Sequence, residues 1–390
     1  MHTRNLVLLL LGNILSHIGT GITMLAIPWL LIKKLQATTT YGYLSIAAMA
    51  LSILLLPYIG VIVDRFSRKT ILLGVALGGF FTTFLCAMLP PESLYTLACV
   101  YLLGNIVYNF QFPTLMALIQ EIFPVEMYER VNGWMEVQSQ FAMMSAGGAA
   151  GILLDIVSLR VILIIDALTY LCAFALFAFL RYQKKQPQTQ KKNKQSPSLW
   201  EGVTFIRKFP QTFLFLFLTT FTFISIIAFN YLLPTHIIRV LDGSAQVFGW
   251  SEIVWASGSI TAGLTISRFL LKMSISHTIY LCFFVFTVVM GTHAFNHNIY
   301  LFVGIMFFLG WANASIRVMR NTAMMRIVDN HTIGRVNATI FALVNVMKMT
   351  VVFIMTLCVD YVGTSYCFFV LFLVLLGVLY ALLRNNYTDV

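Results

Sequence analysis

Few side chains in this 390-residue chain can carry charge, so those that interrupt its apolar runs mark where chemistry is possible. The densest group is Gly60-Val61-Ile62-Val63-Asp64-Arg65-Phe66-Ser67-Arg68-Lys69, in which one carboxylate, Asp64, stands beside three cations. A carboxylate at a helix end can accept hydrogen bonds from the positive N-terminus of a neighbouring helix, a contact that can hold a gate closed and must break to open it. A second group lies inside the apolar runs themselves. Asn337, Phe341, Asn345 and Lys348 follow i, +4, +8, +11 spacing and share one helix face. Asn132, Glu136, Gln140 and Met143 make a similar face earlier in the chain, and Asn13, His17, Thr20 and Met24 another. Asn105, Asn109, Asn313 and Arg317 extend the pattern.

A lysine exposed at the centre of a membrane helix is unfavourable by roughly 2.5–3.5 kcal/mol on insertion scales, so Lys348 is expected to line a water-filled cavity or to be held structurally by an ion pair or hydrogen bond. His17 can equally bond across helices, and Arg317 can snorkel to the inner interface. Asp155 and Asp166 sit nearer the outer helix ends, where capping or packing is expected ahead of proton carriage. The candidate cavity residues are Asn13, His17, Asn109, Gln140, Asn313, Arg317, Asn345 and Lys348. With cations and no carboxylate expected at mid-depth, such a cavity favours an anionic or carboxylate-bearing solute, whose apolar parts Met and aromatic side chains would accept.

The elements that must position these residues are membrane helices. Soluble proteins carry about 25% charged residues; here the figure is 10%, against 59% hydrophobic, which excludes a water-soluble globule. Twelve apolar runs, from residues 6–32 to 366–383, each approach the roughly 20 residues that cross about 30 Å of hydrocarbon. The first is too long for a signal-peptide core and is expected to stay as an uncleaved helix. The net charge of +11 does not point to nucleic acid, because the basic residues sit in short loops between apolar runs. Twenty Lys and Arg fall on the side of the N-terminus and four on the other, so both termini are expected in the cytoplasm of a multi-pass cell-membrane protein. The six cysteines lie within apolar runs without metal spacing. Neither a nucleophile–base constellation, a cofactor loop nor a G-x-x-x-x-G-K-[ST] loop occurs, so no enzyme, metal, cofactor or direct ATP drive is expected.

A Gln/Lys/Pro-rich stretch divides the chain into an N-terminal six-helix bundle (1–181), a cytoplasmic linker with a short interfacial helix (182–210) and a C-terminal six-helix bundle (211–390). The two bundles read as repeats. Arg130-Val131-Asn132 returns as Arg335-Val336-Asn337, Asp155 as Asp360, and Gly60, Arg65, Phe66 and Lys69 as Gly263, Arg268, Phe269 and Lys272. Parallel repeats of this kind place a transporter's site between them.

The segment from Gly60 to Lys69 resembles the G-x-x-x-D-R-x-x-R-K signature of the major facilitator superfamily, and with the spans and the repeat the resemblance covers nearly the whole chain. It implies an all-α membrane fold of two pseudo-symmetric six-helix bundles and a gate in which Asp64 meets the start of the eleventh span. The gating residues it implies are Gly60, Asp64, Arg65, Arg68, Arg130, Gly334 and Arg335. Ser267 replaces the carboxylate in the second-half copy, which implies a weaker gate there. Phe112-Pro113-Thr114, Arg130-Val131-Asn132-Gly133, Ile165-Asp166-Ala167 and Trp200-Glu201-Gly202 are similar to the bacterial exporter branch that includes macrolide and siderophore efflux proteins. The fourth span lacks the arginine, and the fifth the Gly-Pro, that proton antiporters of the wider group often carry, so a proton as coupling ion stays open.

The resemblance thus implies a monomeric secondary transporter in contact with membrane lipids. Its expected role is export of a small organic solute, with a siderophore-like anion ahead of a macrolide or other drug. Import and lipid flipping on the same scaffold are the other readings.

Overall fold

The computed structural model describes residues 2–90, 93–124, 127–182, 209–270, 273–327 and 333–385. Within the helices, the side chains of Gly60, Asp64, Arg130, Asn132, Glu136, Arg268, Gly334, Arg335 and Asn337 lie outside those described, as do Lys272 and the expected interfacial helix of the linker. Every regular element among the described residues is a helix: α1 (His2–Lys33), α2 (Thr38–Arg65), α3 (Arg68–Met88), α4 (Leu94–Ile122), α5 (Tyr128–Ile156), α6 (Leu159–Ala178), α7 (Pro210–Leu218), α8 (Phe221–Arg239), α9 (Ala245–Leu270), α10 (Ile275–Phe295), α11 (Ile299–Ile327) and α12 (Ile333–Asn385).

Local chemistry explains where several of them start and break. Ser67, Ser93 and Ser274 cap α3, α4 and α10 by accepting from the backbone N–H three residues on, at 3.4, 3.1 and 3.3 Å. The seventh apolar run is expected as one continuous span, but α7 and α8 are separate helices. The Thr219 and Thr220 hydroxyls turn back onto the carbonyls of Leu216 and Phe217 at 2.7 and 2.6 Å, in competition with the helical ladder. Conversely, the last two apolar runs lie in one 53-residue element, α12, interrupted only by Gly363 with φ 78° and ψ 165°.

Nine stretches among the described residues are long and apolar enough to cross a membrane. One of them, Thr339–Arg384, has 46 residues, about twice what a single crossing needs, and Gly363 divides it. Helices α5 and α9, of 29 and 26 residues, match the others in length. With α7 and α8 taken as one crossing and α12 as two, the described helices supply twelve.

The chain forms two compact units, one of residues Met1–Gln190 with Ser244–Ile253, the other of Lys191–Gly243 with Val254–Val390. In the first, α1 lies against α5 and α6, and α3 against α4 and α6. Glycines permit the closest approaches: a Cβ on Gly79 would meet the Tyr170 ring at 2.5 Å. Leu9, Leu118, Phe123 and Phe177 form a buried core in this unit. In the second, α10 lies against α11 and α12, and α8 against α12.

Each unit carries the same two features at its first and fifth crossings. Lys33 at the end of α1 pairs with Asp155 of α5 at 3.1 Å, and Arg239 at the end of α8 pairs with Asp360 of α12 at 2.8 Å. Pro28 and Pro234 sit at matching places in α1 and α8.

Candidate functional site

At the Arg68 end of the first unit, a bonded cluster ties α3, α4 and α6 together. Arg68 opens α3 and places Nη1 3.0 Å from Glu121 Oε1, with both side chains largely buried. Tyr182 donates to the other oxygen of Glu121 at 2.5 Å. Burial first, and then this bond to Glu121, push the Tyr182 phenol above its ordinary range. Lys69 donates to the carbonyls of Ala178 and Leu180 at 2.7 and 2.8 Å, satisfying acceptors that the end of α6 leaves free. Asn5 closes the ring, donating to the Arg181 carbonyl at 2.9 Å and accepting from its N–H at 3.1 Å. Of the expected gating residues, Arg68 is thus fixed in an ion pair and Arg65 is exposed in the last turn of α2. The gate assigned to Asp64, Arg130, Gly334 and Arg335 rests on side chains outside those described.

Because Arg68 and Tyr182 share one carboxylate, their contributions are coupled. Arg68→Ala and Tyr182→Phe are each expected to destabilise the purified protein by about 1.5–3 kcal/mol, the range for a hydrogen bond to a charged group, read as a fall in melting temperature. The double variant should lose less than the sum of the two, and simple additivity would refute a shared anchor.

A polar seam runs along α1. Asn13 is fully buried and accepts from Gln111 of α4 at 3.2 Å; Gln111 also lies 3.4 Å from Ser16. One turn on, His17 Nδ1 lies 3.2 Å from the Gln138 amide nitrogen of α5. A further turn on, Thr20 lies 2.8 Å from the Tyr170 hydroxyl and 3.4 Å from the Asp166 carboxylate of α6, and Thr23 donates to Asp166 at 2.8 Å. The expected stripe on α1 therefore exists, and its members engage α4, α5 and α6 in turn. Asn109 donates to Ser52 of α2 at 2.6 Å, and Gln140 is half-buried on α5.

In the second unit Lys348 is half-buried near the middle of the first part of α12. Its ammonium stands over the rings of Phe223 and Phe341, at 4.9 and 5.9 Å from their centroids. The contact with Phe341, seven residues earlier, puts these two on one face as their spacing requires. Among the described residues Lys348 joins none of the ion pairs. Asn345 is half-buried one turn before it, while on α11 Asn313 is buried and Arg317 exposed. A cation held by aromatic faces keeps its charge available to an anion.

Helix α5 also meets the start of α9, within the first unit. A Cβ on Gly249 would collide with the Gly147 carbonyl and lie 2.9 Å from the Gly151 Cα, so backbones touch there. Trp29 stacks on Phe248 beside this crossing, 5.8 Å between centroids.

Residues 9–273 match the family model of the Major Facilitator Superfamily, which is more than half of the chain. The chain belongs to the major facilitator superfamily. This superfamily member is 24% identical over 263 residues to macrolide efflux protein A of Streptococcus pyogenes, a match spanning 66% of the chain and 65% of that protein. It is 25% identical over 218 residues to macrolide efflux protein A of Enterococcus faecalis, over 55% of the chain and 67% of that protein. Among solved structures it resembles a bacterial homologue of the iron transporter ferroportin in its inward-facing state, with a TM-score of 0.73, 13% identity and 99% of both chains covered. The nucleoside transporter NupG gives a TM-score of 0.71 at 13% identity, over 98% of this chain and 99% of that one.

The chain accordingly has the major facilitator fold of a multi-pass membrane protein, and it spans just under two thirds of the length of the first of these relatives. Sequence reasoning passed over four polar residues of this superfamily member: Gln111, Gln138, Glu121 and Tyr182. Each lies in or next to an apolar run, and their only signal is a polar side chain where lipid-facing helices rarely have one.

Proposed function

We propose that the chain is a secondary active exporter of a small organic solute bearing a carboxylate, in the manner of a siderophore-like metallophore, working by alternating access with a proton as the coupling ion. The observation that carries the anionic substrate is Lys348, a membrane-embedded cation braced by Phe223 and Phe341. Phenylalanine faces bind the apolar parts of the same solute, and Asn345 supplies a hydrogen-bond donor beside the charge. Export is supported by the relatives named for macrolide efflux. These relatives also support a second reading, efflux of a macrolide or another bulky drug. Inside-out vesicles separate the two: under an inward-acidic gradient they should accumulate a radiolabelled carboxylate siderophore and not erythromycin. Accumulation of erythromycin alone would select the second reading, and accumulation of neither would remove both.

The proposed setting is the cell membrane, as a monomer, with both chain ends in the cytoplasm. Thiols introduced at Gln36 and His297, both exposed, should react with a membrane-impermeant maleimide added to intact cells, while one at Pro210 should react only after permeabilisation. Labelling of Pro210→Cys in intact cells would reverse the orientation.

A further inference from the structure

Among the described carboxylates Asp166 alone is fully buried, at 1% exposure, within a helix long and apolar enough to span the membrane. Its neighbours from α1 are the Thr20 and Thr23 hydroxyls, and from its own helix Tyr170, which Thr20 also touches. Gly19 allows this closeness, since a Cβ there would lie 2.7 Å from Asp166 Oδ1 and 3.1 Å from its Cα. Helix α3 presents Gly79 to the Tyr170 ring.

No cation among the described residues answers the carboxylate. His17 lies nearly a turn before Thr20 and is engaged with Gln138 of α5. Lys33 is paired with Asp155, Arg68 with Glu121, and Lys69 with the carbonyls at the end of α6. Arg160, in the first turn of α6, is exposed. A bare carboxylate in such surroundings carries a desolvation penalty of several kcal/mol that hydroxyl groups alone do not return. The neutral acid avoids that penalty, and its O–H finds an acceptor in the Thr20 oxygen, whose own hydrogen can pass to Tyr170. Direct contact with Thr23 at 2.8 Å leaves no room for a metal cation between the two.

We propose that Asp166 is a proton-binding site of this transporter. It holds one proton while α1 and α6 are packed together, and releases it to water when Thr20 and Thr23 draw away. The carboxylic O–H breaks, its electron pair stays on Asp166 and the proton leaves as hydronium. Use of this proton to drive a solute rests on the proton-coupled reading above, but occupancy of the site does not.

The test needs no substrate. Infrared difference spectra of the full-length protein in lipid, recorded at neutral pH, should contain the C=O stretch of a protonated carboxyl. Biosynthetic labelling with 4-13C-aspartate should shift that band in the parent protein. The band should vanish in Asp166→Asn, move but persist in Asp166→Glu, and stay in Glu252→Gln. A parent spectrum with no aspartate-sensitive band would overturn the proposal even if no variant folds, and so would an unchanged band in a folded Asp166→Asn protein. Loss of siderophore transport with the band intact would instead fault the substrate reading.

Discussion

Lys348→Ala is expected to abolish binding of a carboxylate-bearing solute while leaving the fold in place. Removing one partner of a buried, desolvated charge pair costs about 3–5 kcal/mol, or roughly two to three orders of magnitude in affinity. Phe223 and Phe341 would lose only a cation–π contact of about 0.5–2 kcal/mol. Lys348→Arg keeps the charge and the aromatic brace and should retain part of the affinity. Two measurements on purified protein decide the matter: the dissociation constant for a carboxylate siderophore and the melting temperature. A structural lysine would lower the melting temperature in both variants and leave any residual binding unselective. If Lys348→Ala binds the siderophore as tightly as the parent, the anionic reading fails and the macrolide reading moves ahead.

Gly249→Ala should be the second severe variant. The added methyl meets the Gly147 carbonyl and the Gly151 Cα, which are backbone atoms and cannot rotate away. Overpacking of this kind typically costs about 1–3 kcal/mol when the contact is permanent. In the proposed alternating-access cycle α9 releases α5 once per turnover. The methyl should therefore favour the released state: transport falls by about tenfold or more per 1.4 kcal/mol of bias, with the melting temperature nearly unchanged. Accessibility of a thiol at Gln246 to a maleimide should rise in the variant. A large drop in melting temperature with unaltered accessibility would mean that α5 and α9 never separate.

How much of this was legible beforehand depends on whether a feature lives within one helix or between two. Lys348, Phe341 and Asn345 share a face because 3.6 residues make a turn, and no tertiary knowledge was needed. The fold class followed from apolar run lengths, and the repeat from letters such as Asp155 and Asp360 recurring in register. The partners of those aspartates did not stand out, since Lys33 and Arg239 are different residue types and only the folded units show them playing one part. For the same reason Asp166 read as a capping or packing residue ahead of a proton carrier. Its distinction comes from Thr20 and Thr23, more than 140 positions away on a helix whose adjacency no periodicity reveals. The break between α7 and α8 was hidden as well, because two threonines in an apolar run look the same whether their hydroxyls bend the helix or not.

Gly363 bears on how the chain reaches its membrane in the first place. A left-handed φ of 78° paired with ψ 165° is open to glycine and almost nothing else, so the division of α12 is written into one residue. Asp360, Thr364 and Ser365 flank Gly363 inside Thr339–Arg384, a 46-residue apolar stretch too long to cross the membrane as one rod. The two arms are therefore expected to enter lipid together, as a hairpin. The direction of the second arm relative to the first then depends on a hydrogen atom in place of a methyl group.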